Sequence, residues 1–150
     1  MVDRAAGEQR GGTDDDGPPP GPGTGEPDLA VSVVVYRVGQ ELGAGDKVLL
    51  ASFEAALVES GMENLDHGEG DSLGVFQQRP SMGWGTPEQV TNVAYAARQF
   101  FTRALTVDEE NPSLTPGQLA QAVQVSAYPE RYDRREAEAR ELMTRTVEEL

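Results

Sequence analysis

The stretch that most constrains the fold runs from Asp46 to Gly61. Leu49, Phe53, Ala56 and Leu57 recur there at the spacing of one helical stripe. Asp46 stands where an N-cap belongs, and Gly61 stands where a helix stops. The helix so defined ends in Glu59-Ser60 and opens onto a polar segment punctuated by Gly68, Gly70, Gly74, Gly83 and Gly85. No helical period runs from Gly61 to Gly85, so turns, and at most a short hairpin, are expected. A loop this long in a compact domain is either functional or disordered. Leu73, Val75, Phe76 and Trp84 supply apolar anchors, which favours an ordered, functional loop.

The other helices follow from the same two signals, spacing and caps. Val34, Val35, Val38 and Leu42 lie at helical spacing. Their β-branched run also suits a strand, but the pattern persists to Leu42 and stops at Gly43-Ala44-Gly45, which favours a helix. Thr86-Pro87-Glu88-Gln89 is a helix start, with a Thr cap, Pro at the first position and Gln closing a capping box. It leads to a helix over about 93–105 with Ala94, Ala97, Phe101 and Leu105 inward. Thr115-Pro116-Gly117-Gln118 repeats the start signal for a helix carrying Leu119, Ala122, Val123 and Ser126 and ending before Pro129. A charged helix over about 130–147 closes the chain, with Tyr132, Ala139, Leu142 and Met143 as a thin apolar seam. The expectation is a mainly α domain over residues 29–150. Residues 1–28, rich in Gly, Pro and Asp, read as a disordered tail, either a linker or a frayed terminus.

Composition narrows function. The chain has 150 residues and a net charge of −14. Binding to a nucleic-acid backbone needs clustered Lys and Arg, so no nucleic-acid partner is expected. Anionic lipid is disfavoured on the same ground. No apolar run approaches the length of a bilayer span, so no membrane insertion is expected. With 0 cysteines there is no disulfide, thiolate nucleophile or cysteine zinc site. The acids of the loop do not follow the EF-hand pattern, and neither phosphate-binding nor zinc motifs occur, so neither a metal nor a cofactor is expected. The polar N-terminus shows no signal peptide.

Glu59 is the candidate catalytic group. It shares a helix face with Ser52, Ala55 and Ala56 and should flank the buried stripe. Glu54 lies about 140° around the helix from it and should be the more solvated acid. A carboxyl in an apolar setting can keep its proton and donate it to a glycosidic oxygen. Asp66, Glu69 and Asp71 lie in the loop, and Asp66 or Asp71 is the candidate second carboxylate of a two-acid glycosidase. Each also reads as an ordinary solvated acid. His67, the single histidine, is taken as a loop residue. Gln77 and Gln78 suit hydrogen bonds to sugar hydroxyl or N-acetyl groups. Trp84 and Tyr95 suit stacking on a sugar face, or equally core packing.

These segments also carry a resemblance. Val48 to Gly61, with its Glu59-Ser60 end, resembles the helix of soluble lytic transglycosylases and goose-type lysozymes that ends in a catalytic Glu-Ser. Ser72-Leu73-Gly74-Val75-Phe76-Gln77-Gln78 resembles the Gly-Leu-Met-Gln segment that follows it in that superfamily. The run from Tyr36 to Tyr132 is similar to lysozyme-like domains seen in actinobacterial and phage-related proteins. The later Ala-Tyr-Asn-x-Gly segment has no equivalent, since Ala122 to Pro129 lack its Asn and Gly. The resemblance implies a lysozyme-like fold and cleavage of the MurNAc–GlcNAc β-1,4 bond of peptidoglycan. It implies Glu59 as the acid/base, with Ser60, Gln77, Gln78, Trp84 and Tyr95 as substrate contacts. An extracytoplasmic or cell-wall location would follow from that activity. A non-catalytic glycan-binding module, or a structural part of a phage-like assembly, are the other roles weighed.

Overall fold

A computed structural model describes residues 25–150. Most of the tail expected over 1–28 therefore lies outside the described residues. Among the described residues the protein is mainly helical. It has α1 (Leu29–Glu41), α2 (Asp46–Ser60), α3 (Pro87–Val90), α4 (Val93–Glu110), α5 (Pro116–Gln124), α6 (Glu130–Arg134) and α7 (Glu136–Glu148). A 3₁₀ turn, Pro80–Met82, interrupts the long loop.

Helix α2 is the axis of the fold. It packs against α1, α4, α5, α6 and α7. The expected stripe is buried, but so is nearly every other position from Val48 to Leu57. A helix covered on all sides has no wet face, and this overturns the expectation for Glu54, which is 0 % exposed. Asp46 is not the cap either; Gly45 holds that position and Asp46 opens the first turn, where its charge suits the helix dipole. At the far end Gly61 turns left-handed (φ 70°), and the N–H groups of Gly61 and Met62 bond to the carbonyls of Leu57 and Ala56. That turn drops the chain into the loop directly behind Glu59-Ser60.

The neighbouring helices press closely on α2. Tyr36 of α1 meets Phe53 edge-on at 6.3 Å. Ser32 of α1 and Thr146 of α7 share a buried 2.8 Å hydrogen bond. At Gly39 a Cβ would stand 2.6 Å from Leu49 Cδ2 and 2.7 Å from Phe101 Cζ, so a side chain there would have to displace two buried residues of α2 and α4. Gly39→Ala should therefore cost about 1–3 kcal/mol as an overpacked core. A shift in the denaturant midpoint checks it, with unchanged stability refuting the close approach.

Sequence signals located the later helices better than their faces. Both Thr-Pro-x-Gln starts form complete capping boxes, at Thr86 and Thr115. Helix α4 runs to Glu110, past Leu105, and near its C-terminus, where acids are disfavoured, Lys47 meets Asp108 at 2.6 Å. Its inward side is Ala96, Ala97, Phe100, Phe101 and Ala104, while Ala94 is exposed. Helix α5 stops at Gln124, where Val125 turns left-handed (φ 52°), so Ser126 is not helical and Ala122 faces out. The expected final helix is two helices, α6 and α7, meeting at Arg135. The break lets Tyr132 face one way and the seam Ala139, Leu142 and Met143 another; all four are buried.

The loop after α2 is built by its own turn. Leu73 and Gln78 form one antiparallel bridge, with no longer hairpin. Between them Gly74 (φ 84°) and Gln77 (φ 51°) are left-handed, which drives Val75 and Phe76 into the core. Phe76 stacks on Phe100 of α4 at 5.0 Å between ring centroids. A Cβ at Gly74 would collide with the Val90 carbonyl oxygen, so the glycine is required here for space as well as for its φ.

Candidate functional site

Glu59 ends α2 among three other elements. The Tyr132 hydroxyl of α6 donates to Glu59 Oε2 at 2.6 Å, across 73 residues of sequence. Tyr132 is fully buried and Glu59 is 4 % exposed. Ser60 donates to the Val75 carbonyl at 2.6 Å and accepts from the Glu63 N–H at 3.1 Å, which clamps the 74–77 turn against the helix end. From α5, Gln124 Nε2 donates to the Phe76 carbonyl at 2.9 Å. The end of α2, the turn, the end of α5 and α6 are thus fixed to one another around one carboxylate.

The other expected contacts have different partners. Gln77 Nε2 donates to the carbonyls of His67 (3.2 Å) and Gly74 (3.1 Å). Gln78 Nε2 donates to the Ala96 carbonyl at 3.1 Å. Both side chains are buried, and both stitch the loop to its surroundings. Trp84 is buried as well, with the Arg103 guanidinium 3.4 Å over its ring, so a cation covers one of its faces. Tyr95 is half-buried and reaches the Trp84 carbonyl at 3.4 Å. Trp84, on the far limb of the loop, and Tyr95, in the first turn of α4, therefore belong together.

Of the two loop acids, Asp71 has a structural part. Its carboxylate accepts from Arg79 Nε (2.6 Å), the Ser81 N–H (2.8 Å) and Ser81 Oγ (3.0 Å). Desolvation pushes its pKa up, but the bonds from Arg79 and Ser81 outweigh that and hold it at about 2. Asp66 is exposed and bonded to His67 Nδ1 at 3.0 Å, a contact that lowers its pKa. A lowered carboxyl stabilises the fold above its unfolded pKa, 3.8 for Asp71, and that contribution is lost as pH falls towards 2. Solvent screens this half-exposed pair, so the effect is local. Protease cleavage within 70–83 should rise between pH 4 and 2 in the wild type. Asp71→Asn should remove that pH dependence, and an unchanged profile would refute the clamp.

Tyr132 and Gln124 are the groups that sequence reasoning left out of the site. Their only signal was a lone aromatic on a charged helix and one of three glutamines on α5, the one that falls on its buried side. Val125, a β-branched residue held left-handed and 64 % exposed, follows Gln124 directly. No protein-family model matches the chain, and comparison with curated protein sequences finds no match either.

Proposed function

We propose that this protein cleaves the glycan strand of peptidoglycan at the MurNAc–GlcNAc β-1,4 bond, with Glu59 as general acid and then general base. The observation that carries the reading is the Glu59 carboxylate at the end of a buried helix, oriented by the Tyr132 hydroxyl at 2.6 Å. Protonated Glu59 would donate to the leaving glycosidic oxygen. Once ionised, it would accept the bond from Tyr132, which keeps the carboxylate oriented at that step. It would then take the proton of the sugar's own C6 hydroxyl, giving a 1,6-anhydro end. This route needs no second carboxylate. The engagement of Asp71 with Arg79 and Ser81 favours it over a two-acid hydrolase.

One observation favours a role without turnover. Glu59 is 4 % exposed, and Gln77, Gln78 and Trp84 are buried, so a sugar reaches the acid only where the cover over α2 opens. Incubation with purified peptidoglycan and mass spectrometry of the soluble products separates these readings. Anhydro ends support the transglycosylase, and reducing ends support a hydrolase. Co-sedimentation with the wall and no release of either product supports the binding module. Absence of both release and co-sedimentation rules out the glycan reading.

A further inference from the structure

Away from Glu59, carboxylates from three helices converge at the middle of α2. Glu54 of α2, Asp133 of α6 and Glu136 of α7 each place an oxygen within 4.8 Å of the others. We propose that these three residues bind a Ca²⁺ ion, which fastens the α6–α7 junction to α2. The proposal is independent of whether Glu59 cuts a glycan.

The second observation is Glu54 itself. Its side chain is 0 % exposed, and both carboxylate oxygens have no hydrogen-bond partner among the described residues. A buried acid in that state is costly unless it holds its proton or meets a cation. The charge of Arg140 acts on Glu54, but its Nε donates to Glu136 at 2.9 Å and its side chain is half-exposed. The other two carboxylates are held in place. Asp133 accepts from the Gly117 N–H at 3.2 Å and from Thr115 Oγ1 at 3.2 and 3.3 Å. Gly117 makes that approach possible, because a Cβ there would stand 2.6 Å from the Asp133 nitrogen. Such fixed outer bonds aim ligands before an ion arrives.

Ligand chemistry selects the ion. The set is all carboxylate oxygen, without His or Cys, which suits a hard cation and disfavours zinc or copper. Ca–O distances of about 2.3–2.6 Å let two ligands stand roughly 4.6–5.2 Å apart across the ion, whereas Mg²⁺ spans only about 4 Å. The three oxygens lie within 4.8 Å of one another, inside the span of a calcium shell, and calcium's larger and more flexible coordination suits ligands drawn from three separate helices. Asp133 is exposed, so water can complete the coordination shell.

Calorimetry and thermal melting of chelator-treated protein, titrated with CaCl₂ and separately with MgCl₂ up to about 5 mM, test this. The expected result is a saturable one-site Ca²⁺ response that raises Tm. Glu54→Gln and Glu136→Gln should each weaken binding at least ~10-fold, while Glu109→Gln, an exposed acid of α4, should bind as the wild type does. If Glu54→Gln does not fold, Glu136→Gln, at a half-buried position, carries the test. The proposal is overturned if the wild type gives no saturable response or if Mg²⁺ binds the tighter. It is equally overturned if the site variants keep the wild-type affinity, since the response would then be counter-ion screening of an acidic surface.

Discussion

Glu59→Gln should lower the release of soluble glycan products by on the order of 10²–10⁴, with the fold intact. Glutamine keeps the shape and its amide oxygen can still accept from the Tyr132 hydroxyl, so no buried charge is created. Tyr132→Phe should have a smaller effect, because it removes the group that orients the acid and leaves the acid. The two variants assayed on the same peptidoglycan, with circular dichroism as the folding control, give the comparison. Full activity in a folded Glu59→Gln protein would remove Glu59 from the chemistry.

The largest expected effect on stability is at Phe53. It is 0 % exposed on α2 and faces Tyr36 of α1. Phe53→Ala should cost about 3–5 kcal/mol, since the surrounding helices close a cavity only in part. Urea unfolding reads this as a lower midpoint at unchanged slope. A cost below about 1 kcal/mol would mean that the core around α2 is looser than its packing.

The contrast between Phe53 and its neighbour shows what a single sequence can carry. Phe53 was legible because helical spacing reports which residues share a stripe. Glu54 was not, because the opposite face of α2 is covered by α6 and α7, whose Asp133 and Glu136 lie some eighty residues downstream. The helix starts at Thr86 and Thr115 were legible because capping boxes are local hydrogen-bond chemistry. The parts played by Gln77 and Gln78 depend on left-handed backbone at Gly74 and Gln77, which turns an apparent polar patch inward onto main-chain carbonyls. Tyr132 stood in an apolar seam by spacing, and only the break at Arg135 aims its hydroxyl at Glu59. Local signals thus placed the elements, while the chemistry of the site depends on pairings between distant ones.

The position of Trp84 gives the molecule a built-in optical probe. It is the one tryptophan of the chain, it sits on the loop, and its ring lies under a guanidinium from α4. Indole emission depends on the polarity and charge around the ring, so its wavelength and yield follow the seating of that loop on α4. Lifting the loop would register as a red shift while far-ultraviolet dichroism stays constant, since the helices would be unchanged. If the proposed glycan function holds, mixing with wall fragments in a stopped-flow fluorimeter would therefore report whether the loop moves before, during or independently of binding.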